Sequence, residues 1–138
     1  MSVFVVDANV VVSAALSPSS ISRQAIITAR RHGTIALSEA VFGEINEVLS
    51  RPKFRCAISA DRRREVLELL SAAAAWFEPA QTIAECRDAK DNRYLELALV
   101  AGAKVIVSGD DDLLVLDQWR GTRIMKPAAF LAWVPHTS

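Results

Sequence analysis

Net charge is the first thing this chain lacks. Sixteen Lys and Arg residues balance sixteen Asp and Glu residues among 138, so no global basic field advertises nucleic-acid binding. Local basic patches stay open to that role. Cysteine and histidine are scarce, at two each: Cys56, Cys86, His32 and His136. The cysteines stand at no metal-ligand spacing and the histidines lie far from both, which argues against a zinc site. The opening Met-Ser-Val-Phe-Val-Val-Asp has no basic leader, and its apolar run is too short for a signal sequence. With no export signal, the thiols read as reduced. No stretch is long and apolar enough to span a bilayer. The expectation is a cytoplasmic protein without a membrane partner. Repeats, low-complexity tracts and linkers are also missing, so residues 1–138 are expected to form one domain.

What is present is an ordinary globular composition, 51% apolar and 23% charged, in a chain long enough to bury a core. Val3 to Val6 reads as a central strand covered on both faces. A helix is expected from about Ile21 to His32, capped by Gly33, followed by a strand from Thr34 to Leu37. Ser38 caps the next helix, with apolar positions Val41, Ile45, Val48 and Leu49, and Pro52 should end it. Ser59 caps a third helix that Ala72 to Ala75 extend, before a short strand around Trp76 to Pro79. Asp88 caps a fourth helix ending at Gly102. Lys104 to Val107 and Thr122 to Met125 read as strands. Asp111 to Leu116 reads as a short helix, and Pro127 to Trp133 as a last one. This alternation predicts an α/β fold: a parallel sheet of four to five strands with helices on both faces, in three layers.

Acidic residues fall at telling places in that scheme. Asp7 and Asp110 follow buried strands, and in open α/β sheets the ligand site lies outside the carboxyl ends of strands. Asp7 and Asn9 are two apart and share a side while the chain stays extended. The plainer reading of Asp7 is a cap on whatever follows the strand. Glu44 sits at the border of its helix's apolar stripe, where a carboxylate costs energy unless it is partnered; the plainer reading lets it reach water. Asp91 projects on the apolar face one turn before Leu95, while Asp88 suffices as a cap. Asp110, Asp111 and Asp112 repel one another, since two carboxylates about 4 Å apart cost roughly 4 kcal/mol at an effective dielectric of 20. A hard divalent cation, Mg²⁺ or Mn²⁺, relieves that cost. Asp111 is read as helix-starting only.

Four separated motifs carry a resemblance. They are Val-Val-Asp-Ala-Asn-Val-Val-Val-Ser-Ala-Ala-Leu, Leu-Ser-Glu-Ala-Val-Phe-Gly-Glu-Ile-Asn-Glu-Val-Leu, Cys-Arg-Asp-Ala-Lys-Asp-Asn and Val-Ser-Gly-Asp-Asp-Asp-Leu-Leu. In order and spacing, from about Val3 to about Phe130, they resemble the PIN-domain ribonucleases, in particular the toxin subunits of bacterial toxin–antitoxin pairs. The resemblance implies a metal-dependent endoribonuclease acting on single-stranded RNA, with Asp7, Glu44, Asp91 and Asp110 as catalytic acids. It implies Asp7, Asp91, Asp110 and Asp112 as metal ligands, and Asn9 and Ser13 as pocket residues. A cognate antitoxin protein and a homodimer are implied with it. The chain departs from the family at Asn92, where relatives often carry an acid.

Chemistry fits these assignments. A divalent ion activates water and offsets charge on the phosphate, and Glu44 orients or deprotonates the attacking water. RNA phosphates approaching an acidic pocket need cations beside it. Arg87 and Lys90 are the nearest in sequence; Arg51, Lys53, Arg55 and Arg62 to Arg64 are others, the last three read as a solvated helix face. Two readings compete. In one, Asp7 is a phosphoryl-accepting nucleophile, although no aspartate stands two residues on. In the other, the fold is a binding module without activity.

Overall fold

The computed structural model describes the backbone of residues 2–137 and the side chains of residues 2–134. His136 therefore lies outside the described side chains. Strand β1 (Ser2–Val6) leads into α1 (Ala8–Leu16), then α2 (Ile21–His32) and β2 (Gly33–Leu37). Next come α3 (Glu39–Leu49), α4 (Pro52–Ala57), α5 (Ala60–Ser71) and the short β3 (Ala75–Trp76). A 3₁₀ turn (Ala89–Asp91) opens α6 (Asn92–Ala101), followed by β4 (Val105–Val107), α7 (Asp111–Leu114), β5 (Arg123–Met125) and α8 (Pro127–Thr137).

All pairings in the sheet are parallel, in the order β3-β2-β1-β4-β5. The connections from β1 to β2 to β3 step one way along the sheet, and those from β3 to β4 to β5 step back. Right-handed crossovers therefore place the two groups of helices on opposite faces. The result is the expected three-layer α/β/α arrangement. Helix α8 closes over the α2 side, where the Phe130 ring meets Phe4 edge-on at 5.1 Å. The strand order reverses between β1 and β4. Their register, Val6 beside Val107, brings Asp7 and Ser108 out side by side at that reversal, where open α/β sheets bind ligands.

Several local readings change. The chain does not stay extended after Asp7. The Asp7 carboxylate accepts from the Val10 N–H at 3.0 Å and starts α1, overriding the strand tendency of Val10 to Val12 because a capped and almost wholly buried helix is worth more here. Gly33 is no left-handed cap: its backbone is extended and opens β2. A Cβ at that position would lie 2.2 Å from the Ser2 carbonyl oxygen, so glycine is required by the close approach of β1. The left-handed cap stands at Gly102 instead, with φ 62°. Helix α3 ends at Leu49, and Pro52 opens α4 at its first position rather than merely closing what precedes it. Helix α5 stops at Ser71, and the alanines after it turn into β3. No single helix among the described residues is long and apolar enough to cross a membrane.

Candidate active site

Four elements deliver acids to one cleft of about 150 Å³ at the switch point of the sheet. Asp7 comes from the end of β1, Glu44 from α3, Asp88 and Asp91 from the 3₁₀ turn, and Asp110 from the end of β4. Ala8, Asn9, Val48, Arg51, Lys90 and Tyr94 complete the lining. Five carboxyl groups thus face two cations.

Asp7 is 3% exposed. One oxygen caps α1, and the other accepts a short hydrogen bond from the Ser108 hydroxyl. Ser108 in turn accepts from the Asp110 N–H at 3.0 Å, so a single hydroxyl fixes both strand-end acids. Burial pushes Asp7 up to about 6, with Asp110 and Glu44 adding to the rise and the two donors opposing it. Asp91 is 7% exposed, and its Oδ2 is buried with no hydrogen-bond partner. Burial first, and then Asp110, push its carboxyl up to about 8.

Asp112 lies beside this cleft. One oxygen each from Asp88, Asp91 and Asp112 falls within 4.8 Å of the others, so Asp88 and Asp91 belong to both groupings. Asp112 also pairs with Arg87 at 2.9 Å. Its carbonyl accepts from the Cys86 thiol at 3.4 Å. This oxygen-only donor set, which includes the residue with the orphaned buried carboxylate oxygen, fits a hard divalent cation. Nitrogen or sulfur ligands suited to a softer ion are absent from it.

Glu44 is partly buried and doubly partnered. Its Oε1 accepts a short hydrogen bond from the Tyr94 hydroxyl, and its Oε2 lies 3.3 Å from the Arg93 guanidinium. The Tyr94 oxygen also accepts from the Ala8 N–H at 3.0 Å. Burial, with Glu44 adding, raises the phenol far above its ordinary value, so it stays protonated.

The structure brings Asp7, Asn9, Glu44, Lys90, Asp91 and Asp110 together around the cleft. It does not bring Ser13 there: α1 carries that residue six positions beyond Asp7, roughly 9 Å along the axis at 1.5 Å per residue. Arg87 is not in the lining either, being held by Asp112. Among the other candidate cations only Arg51 lines the cleft, and it pairs with Glu47. Arg62 and Arg64 are engaged with the Leu16 carbonyl and Asp61. Ser108 and Tyr94 were not anticipated. A serine directly after a buried strand and two residues before an acid was the available sign for Ser108. Tyr94 three residues after Asp91, on the same helical face, was the sign for Tyr94. Asn92, at the departure from the family, is buried and structural. Its Oδ1 accepts from the Glu85 and Cys86 N–H groups, and its Nδ2 donates to the Ala89 carbonyl.

Comparison with known proteins agrees with this architecture. The family described as PIN domain matches residues 3–112. An uncharacterized protein of Methanocaldococcus jannaschii, MJ1680, is 27% identical over 114 residues, covering 81% of this chain and 73% of its own length. The crystal structure of PAE2754 from Pyrobaculum aerophilum superposes with a TM-score of 0.57 at 17% identity, over 95% of this chain and 88% of that one. The last likeness is one of fold.

Proposed function

This chain belongs to the PIN-domain family, whose members are generally nucleases using divalent metals, and we propose that it is a Mg²⁺- or Mn²⁺-dependent endoribonuclease cleaving single-stranded RNA. The observation that carries the reading is the buried, unpartnered Asp91 Oδ2 among neighbouring carboxylates. Such an arrangement is costly unless a cation joins it.

Asp7, Asp91 and Asp110, with Asp112 from the adjoining trio, are the residues that would hold the ion. The ion supplies positive charge at the phosphate and acidifies water. Ser108 keeps Asp7 aimed into the cleft and ties it to Asp110. Glu44 orients the attacking water. Lys90 lines the cleft without an ion pair among the described residues, which leaves its ammonium for a substrate phosphate. Arg87 reaches a phosphate by leaving Asp112. Use of Asp7 as a phosphoryl acceptor is the competing reading, and trapping an aspartyl-phosphate on Asp7 would favour it.

The reading extends to a cytoplasmic toxin of a toxin–antitoxin pair, a homodimer silenced by a small cognate protein. The decisive experiment incubates the purified protein with single-stranded RNA and Mn²⁺ or Mg²⁺, with and without chelator, beside Asp7→Asn. Cleavage that needs the ion and is lost in Asp7→Asn is expected. Silence of the wild type across varied RNAs would overturn the reading. Expression in a host without a partner gene is expected to slow growth, and unaffected growth would remove the toxin assignment. Light scattering that finds a monomer would remove the homodimer.

A further inference from the structure

Tyr94 is the only tyrosine in the chain. It is 1% exposed, and its hydroxyl reaches into the cleft between α1 and α3. The Ala8 N–H can only donate, so the phenolic oxygen accepts there. The phenol has one proton, and Glu44 Oε1 receives it. The direction of the bond is therefore fixed by the backbone of α1: Glu44 is an acceptor at Oε1. At its other oxygen it faces Arg93. A hydrogen bond on one oxygen and an ion pair at the other restrain the rotation of the carboxylate and leave lone pairs for a water in the cleft.

We propose that Tyr94 is a positioning residue: its hydroxyl, oriented by the Ala8 N–H, holds Glu44 as a fixed acceptor that orients the attacking water. The role rests on the nuclease reading above. It also goes beyond it, because it names the Tyr94 hydroxyl as what holds Glu44 in place. It further makes the spacing between the Asp7 end of α1 and Glu44 depend on one phenol. A merely structural tyrosine would satisfy its hydroxyl on the same two groups, but its loss would act independently of Glu44.

The test compares Tyr94→Phe, Glu44→Gln and the double variant in Mn²⁺-dependent RNA cleavage. Tyr94→Phe is expected to lower kcat by about 10- to 100-fold, the usual loss for a group that orients a site residue, with KM within about twofold. The double variant is expected to be no slower than Glu44→Gln alone. Additive losses, or a loss expressed in KM, would overturn the proposal.

A second readout needs no activity. Growth on 3-fluorotyrosine places a single ¹⁹F label, at residue 94. Its resonance is expected to move in Glu44→Gln and to stay in place in Glu47→Gln, on the outer face of α3. A resonance indifferent to Glu44→Gln overturns the proposal, including where Tyr94→Phe does not fold. A wild type that cleaves no RNA defeats the nuclease reading alone, while the ¹⁹F shifts still decide whether Tyr94 holds Glu44.

Discussion

Ser108 donates its hydroxyl proton to Asp7 across the carboxyl ends of β1 and β4, although the two residues are 101 positions apart in sequence. Ser108→Ala removes that donor from a buried acid. The expected cost is about 1–2 kcal/mol of stability, with a loss of about 10- to 100-fold in metal affinity. Calorimetric Mn²⁺ titration and thermal melting check both. Wild-type affinity in the variant would show that the hydroxyl does not organise Asp7.

Stability without metal is expected to fall as pH rises. Both buried acids have folded-state values above the ordinary 3.8, Asp7 at about 6 and Asp91 at about 8. Their stabilising contribution is complete below the unfolded value near 4. It is lost progressively as pH climbs through 6 and then 8, because the native state holds protons that the unfolded chain has released. Melting temperature in chelator is therefore expected to decline from pH 5 to pH 8.5. Asp91→Asn should flatten the decline and melt higher than wild type at pH 8. Saturating Mn²⁺ should raise the wild type most at the alkaline end. A flat wild-type profile would contradict the burial of these groups.

Asn92→Asp places an acid at the one position where the chain departs from the pattern it resembles. Here the carboxylate could still accept from Glu85 and Cys86, but it could not donate to the Ala89 carbonyl. It would also place a charge next to Asp91. A loss of about 1–3 kcal/mol is expected, read as a lower midpoint in urea. An unchanged midpoint would mean that the turn tolerates an acid at this position.

Lys90→Ala tests the cation in the cleft. Its loss is expected to weaken RNA binding about equally across sequences and to reduce the salt slope of binding by about one. Melting should be nearly unchanged, because the side chain makes no ion pair among the described residues. An unaltered salt slope would place the phosphate elsewhere.

Much of this architecture was legible from local pattern. The β-branched runs at Val3 to Val6 and Val105 to Val107 are buried strands. Ser38 and Ser59 cap the helices they were expected to cap, while Asp88 caps the 3₁₀ turn that opens α6, whose own N-cap is Asp91. The fold class follows from the alternation of elements. Helix α1 was missed because valines in succession look like strand, although the plainer reading of Asp7 as a cap pointed to it; the cap on Val10 and the burial of Val10 to Val12 decide for the helix. The glycine at position 33 looked like a helix terminator. It does stand at the end of α2, but what requires glycine is the Ser2 carbonyl oxygen of β1, 2.2 Å from where a Cβ would lie, which no local window contains. In the site, the four principal acids could be picked from their places relative to strand ends and apolar faces. Tyr94 and Ser108 could not, because a hydroxyl reveals its role only when the group it bonds is known. Arg87 illustrates the opposite error: closeness in sequence to Asp91 did not predict that Asp112 would claim it.

The strand order has a consequence for how the protein is made. Asp7 and Glu44 belong to the first half of the chain and Asp91 and Asp110 to the second, and β4 must slot in beside β1 before they meet. A polypeptide emerging from the ribosome therefore carries no assembled centre until nearly all of it has been synthesised. Assembly of the cleft is deferred to the second half of its own manufacture by nothing more than the placement of one strand.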